Sequence, residues 1–234
     1  MKIGVRDAFR MSRVHRRDLL RKSSLASRLV VVAALLAGCT ALTRESPVRQ
    51  TFLLEPPAPP VVAHAQPATL RVGRINVAAP FRGKTFVHRV SDLRFESDFY
   101  VEFLVTPSVM LAEQTARGLE HARPFTRVIG PGTTGDAAWV LDGFASAIYA
   151  DMRDAGKPAA ELDITYYLTP AAEAEQTPVW TREYRRHVPM RDAGAAAYAE
   201  ALNKAFADIV AELARDLAIA TLPAAPATHP ASAT

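Results

Sequence analysis

The stretch that most constrains this chain is its last long one, from Asp192 to Leu222. Tyr198, Leu202, Phe206, Ile209, Leu213 and Leu217 recur every three or four residues, while Glu200, Lys204, Asp208, Glu212 and Arg215 fill the opposite side. That period predicts an amphipathic helix of about 30 residues. Such a helix persists only when its apolar stripe is covered, because most helical stability in proteins comes from packing rather than propensity. The remaining chain must therefore supply a broad surface. Pro223 stops the periodic stretch, and residues 223–234 read as a disordered Ala/Pro/Thr tail.

The surface is foreshadowed upstream. Trp139 to Ala150, Leu162 to Leu168 and Thr177 to Pro189 read as strands, with Leu162, Ile164, Tyr166 and Leu168 sharing one face. The turn Asp154-Ala155-Gly156-Lys157-Pro158 and a loop from Thr169 to Gln176 join them into an antiparallel meander. Earlier, Leu70 to Val77 alternates apolar with polar, Lys84 to Phe95 reads as two strands around Ser91-Asp92, and Asp98 to Val105 is an aromatic strand. Thr106-Pro107 opens a short helix with Val109, Ala112, Ala116 and Leu119 on a narrow apolar stripe, and Arg123-Pro124 closes it. Thr126 to Ile129 is a brief strand cut off by Gly130-Pro131-Gly132. The expected class is α+β: a mostly antiparallel sheet with two helices packed on one face.

Leu29 to Cys39 reads L-V-V-V-A-A-L-L-A-G-C and ends on the only cysteine of the chain. About ten apolar residues are half of what a membrane-spanning helix needs, and they suit the apolar region of an export signal behind a basic segment. The Leu36-Ala37-Gly38-Cys39 ending resembles the bacterial lipobox, in which the thiol is diacylated and the bond between Gly38 and Cys39 is cut. Thr40 stands where inner-membrane retention would favour Asp, so delivery to the outer membrane is expected. Arg16-Arg17, followed by Leu19, Leu20 and Lys22, resembles a twin-arginine export signal; ordinary leader charge is the alternative, and Met11 competes with Met1 as the start. The reading divides the chain into a signal peptide (1–38), a lipidated cysteine with a Pro-rich tether (39–68), a domain (69–222) and the tail. Thr51 to Leu54 is a short strand candidate inside the tether, Pro56 to Pro60 reads as extended loop, and order is expected to resume near Thr69.

Nine of the 28 basic residues and two of the 24 acidic ones precede position 40, leaving 19 and 22, a net charge of −3. The basic character belongs to the leader, which removes the electrostatic argument for nucleic-acid binding. No nucleophile elbow, metalloprotease helix or phosphate loop is found. His64, His88, His121, His187 and His229 fall at no metal-ligand interval, and the pair Asp92 and Asp98 reads as turn chemistry rather than acid–base catalysis. No cofactor is expected. A hydrolase with a dispersed site would need a single side chain whose loss abolishes turnover.

The order of several segments carries a resemblance: the lipobox with Phe52-Leu53-Leu54 soon after it, Phe86-Val87-His88-Arg89-Val90, Ser97-Asp98-Phe99-Tyr100 running into Phe103-Leu104-Val105-Thr106-Pro107, Trp139-Val140-Leu141-Asp142-Gly143, Val179-Trp180-Thr181-Arg182-Glu183-Tyr184, and Leu202-Asn203-Lys204-Ala205-Phe206 in the closing helix. Residues 39 to 222 thereby resemble the ABC-transport auxiliary lipoproteins of the paraquat-inducible protein C type, which serve MCE lipid transport systems. The resemblance implies a non-enzymatic, outer-membrane-anchored periplasmic lipoprotein. Its implied partners are an MCE-domain protein and, through it, an ABC permease and ATPase. On packing grounds alone Phe99, Tyr100 and Phe103 read as core; with the resemblance they become candidate partner or lipid contacts. The rival reading is a structural lipoprotein assisting another outer-membrane complex, and homo-oligomerisation is left open.

Overall fold

The computed structural model describes residues 48–171 and 177–224. Arg16, Arg17, Gly38 and Cys39 lie outside the described residues. Among the described residues, eight strands and two α-helices follow in the order β1 (Gln50–Phe52), β2 (Gln66–Val77), β3 (Thr85–Arg89), β4 (Phe95–Phe103), α1 (Pro107–Ala122), β5 (Phe125–Ile129), β6 (Trp139–Asp151), β7 (Ala159–Pro170), β8 (Trp180–Pro189) and α2 (Ala195–Ile219). The class is α+β, as expected.

The sheet is mixed, which corrects the expected antiparallel majority. β6–β7, β7–β8 and β3–β4 are antiparallel, but β1–β4, β2–β5, β2–β6 and β3–β6 are parallel. The reason is strand order: β6 enters between β2 and β3, and α1 carries the chain from β4 past them to β5 on the far side of β2, so strands distant in sequence become parallel neighbours. β2 and β3 share one edge of β6, β2 alongside Trp139–Ala145 and β3 alongside Ala150–Asp151. Both run in the same direction, so Gln66 marks one end of the sheet and the turn between β3 and β4 marks the other.

β2 gains one residue on β6 between Val72 and Ile75, and the amide of Arg74 there donates to Asp142 Oδ1 at 2.8 Å instead of to a backbone carbonyl. A Cβ on Gly73 would stand 2.3 Å from that carboxylate oxygen. Gly73→Ala is therefore expected to expel Asp142 and strand the Arg74 amide, costing about 1–3 kcal/mol. Urea unfolding would measure it, and an unchanged midpoint would show that Asp142 is dispensable.

Both helices lie on one face. Leu162, Ile164, Tyr166 and Leu168 of β7 are buried beneath them, while Glu161, Asp163, Thr165 and Tyr167 point to the wetter side. Thr115 of α1 and the Tyr166 hydroxyl lie in hydrogen-bond contact at 3.0 Å, and Phe86 of β3 meets Tyr198 of α2 edge-on with centroids 4.9 Å apart. All six stripe residues of α2 are buried. α1 departs from its expected narrow stripe: Val109 is exposed, whereas Met110, Leu111, Gln114 and Thr115 are buried, because α1 packs on the sheet and on α2 at once. Arg123 ends α1 in the left-handed conformation, its amide donating to Leu119 O.

α2 stops at Ile219, before Pro223. The Gln66 side chain reaches across from the start of β2 and donates to Ala220 O at 2.9 Å and toward Leu217 O and Ala218 O at 3.3 Å, filling the helix end that no basic side chain serves.

Order resumes well before Thr69. β1 pairs with β4, Leu54 is buried, and the Pro-rich segment lies across both helices. Prolines cannot donate hydrogen bonds, but their carbonyls accept and their rings pack. Pro59 O accepts from His121 Nδ1–H at 2.9 Å, Glu55 O accepts from Asn203 at 3.2 Å, and the Val62 amide donates to Ala122 O at 2.9 Å. The segment is a strap, not a free tether.

Candidate functional site

β4 is interrupted where its aromatic residues fall. Its register against β3 runs Arg89↔Phe95, His88↔Glu96 and Val87↔Ser97, then resumes at Thr85↔Glu102. Residues 98–101 thus bulge from the ladder opposite Phe86. Asp98 holds the bulge: its Oδ1 accepts from the amides of Tyr100 at 2.8 Å and Val101 at 3.1 Å, replacing the partners those amides lose. Phe99, 86 % exposed, and Tyr100, 49 % exposed, are thereby turned outward. Phe103 is corrected to a core residue, 2 % exposed; its ring lies 4.5 Å from Phe86, which also touches Phe52 and Tyr198.

The hairpin carrying the bulge is braced from the other side. Phe95 meets Tyr149 edge-on at 5.5 Å, Phe81 packs against both, and the Arg89 guanidinium lies over the Phe95 ring. Arg153 joins Asp92 at the hairpin turn to Asp151 at the end of β6, holding the Asp151 carboxyl below its ordinary value. Asp92 is thus taken up in ion pairs with Arg153 and Arg89, and Asp98 in holding backbone amides. At the tip Leu93 is 96 % exposed. Nothing in the hydropathy pattern singles it out; a leucine inside a Ser-Asp-Leu-Arg turn was the available signal, and a turn gives it no covered face.

His88 sits behind the bulge, its Nε2 3.9 Å from Asp98 Oδ2 and its buried Nδ1 without a partner among the described residues. Burial holds its pKa below the usual 6.5 against the pull of Asp98 and Glu96. The folded state then binds fewer protons than the unfolded chain below pH 6.5, so this group's contribution is intact above that pH and is lost as pH falls through it. Urea titrations at about pH 7.5 and about pH 5.5 are expected to show a smaller acid loss for His88→Gln than for the unaltered chain. Equal losses would remove His88 as the cause.

Grooves also lie elsewhere among the described residues. One of about 770 Å³ follows β5 and is lined by Arg117, Arg123 and Arg127 alternating with Glu113 and Glu120. One of about 410 Å³ separates Val61 and Val62 of the strap from Ala211, Ala218 and Ile219 of α2. Among the described residues no cluster of three His, Cys, Asp or Glu forms a metal-binding group, and no helix is long and apolar enough to cross a membrane.

Solved structures share this architecture. A Xanthomonas campestris protein of the DUF330 family model superposes with a TM-score of 0.64 at 17 % identity, over 73 % of this chain and 95 % of that one. An uncharacterized protein does so with a TM-score of 0.57 at 14 % identity, over 73 % and 99 %. The likeness is one of fold. No family model matches the sequence, and no curated protein does.

Proposed function

We propose that this chain is an envelope lipoprotein, acylated at Cys39, that serves as a non-enzymatic auxiliary subunit of an MCE/ABC-type intermembrane lipid transport system at the periplasmic face of the outer membrane. The observation that carries the reading is the Leu36-Ala37-Gly38-Cys39 ending behind a basic, apolar leader and ahead of the domain. The rigid display of Phe99 and Tyr100 supports a docking role, because large exposed apolar side chains on a braced element mark interaction surfaces. Asp98 is engaged in holding the bulge backbone, which leaves Phe99 and Tyr100 as a surface to bind with.

Affinity capture of the full chain from chemically crosslinked membranes is expected to retrieve an MCE-domain protein with its permease and ATPase. Retrieval of a barrel protein or cell-wall components in their place would sink the transport role and favour a structural lipoprotein.

A further inference from the structure

We propose that the end of the sheet formed by Leu93, Phe99 and Tyr100 seats in the interfacial layer of the phospholipid bilayer that holds the anchor, giving the domain a second membrane contact and a fixed orientation. The inference rests on acylation at Cys39 and goes beyond it. β1 runs parallel to β4, with Gln50 beside Val101, so the chain arrives at Gln50 from the hairpin-tip end, one strand spacing from the bulge. Because β1 is already held in the sheet, the reach from the anchor is bounded: eleven residue steps separate Cys39 from Gln50, a span of at most about 40 Å whatever conformation they take. A tether free as far as Thr69 would have reached roughly 100 Å and left orientation open.

Leu93 stands at the hairpin tip, and Phe99 and Tyr100 stand behind it on the bulge, in the half of the sheet where β3 meets the end of β6; aromatic rings favour the boundary between headgroups and acyl chains. The charges around them are paired: Arg94 with Glu96 at 2.7 Å, Arg153 with Asp92 at 2.8 Å and Arg49 with Glu102 at 3.4 Å. The contact is therefore apolar, and neutral phospholipid suffices. Ile219, also apolar and exposed, lies at the opposite end beside Gln66 and serves as the internal control.

The test uses the acylated protein reconstituted into vesicles of phosphatidylcholine and phosphatidylethanolamine. Acylation occupies Cys39, so a cysteine introduced as Phe99→Cys, Leu93→Cys or Ile219→Cys is the sole free thiol for a polarity-sensitive fluorophore. A blue shift with several-fold brightening at positions 99 and 93, and none at 219, is expected. Equal emission at all three positions would overturn the inference while leaving the anchor intact. A shift at 99 that arises only on adding an MCE-domain protein would overturn it in favour of a protein partner. Intact mass, read first, separates both from a failure of the anchor itself: a free thiol at Cys39 would remove the lipoprotein reading and this inference with it.

Discussion

Replacing Cys39 by serine is expected to remove the acyl mass and release the protein from the membrane fraction. A hydroxyl cannot stand in for the thiol in the thioether. Each buried acyl methylene contributes about 0.8 kcal/mol, so a pair of long chains outweighs any contact that a few surface side chains can make. The uncut apolar run cannot compensate, being about half a membrane span. Fractionation after an alkaline wash, with intact mass on each fraction, measures both effects. The circular-dichroism signature of the domain is expected to be retained in the released protein, because Cys39 precedes Gln50, where the first of the described strands begins. A serine variant that stays in the washed pellet as fully as the unaltered chain would sink the anchor.

The largest effect on stability is expected where the two helices meet. A Cβ on Gly118 of α1 would stand 2.5 Å from Val210 Cγ1 of α2, with Pro59 of the strap at 3.7 Å. Val210 is buried and branched at Cβ, so it cannot rotate clear. Gly118→Ala must therefore push the helices apart, at about 1–3 kcal/mol. For a domain of this size that lowers the melting temperature by about 2–4 °C per kcal/mol. Val210→Ala alone loses two buried carbons, about 1.6 kcal/mol. Combined, the two changes are expected to cost less than their sum, because the second opens the space the first requires. Strict additivity in that cycle would show that the helices do not touch at Gly118.

Much of this architecture could be read from residue order. The meander from Trp139 to Pro189 and the stripe on α2 followed from periods of two and 3.6, which survive any connectivity. Strand direction did not follow, because period reports which face is covered and not which neighbour is paired. The strap is hidden for a related reason: of Pro56 to Pro60 only Ala58 has a backbone donor, and only the surfaces of α1 and α2 reveal that the carbonyls of Glu55 and Pro59 serve as acceptors. At the candidate site, alternation along β4 treated Phe99, Tyr100 and Phe103 as one aromatic run. The bulge divides them, sending Phe103 inward and the other two outward. Asp98, a residue poorly suited to strands, was the sequence sign of that break. Gly73 within a strand was the corresponding sign of the other bulge.

The order of the elements has a consequence for biogenesis. Phe86 and Tyr184 are buried under α2, which follows all the described strands in sequence, and Gln66 finds its carbonyl partners only once Leu217 to Ala220 exist. A nascent portion that stops short of α2 cannot close this core, and pairing over such sequence distances is slow. The sheet thus emerges while the domain is still open, which is the state a threading translocon requires; any export route that inspects for a completed fold has to wait for α2.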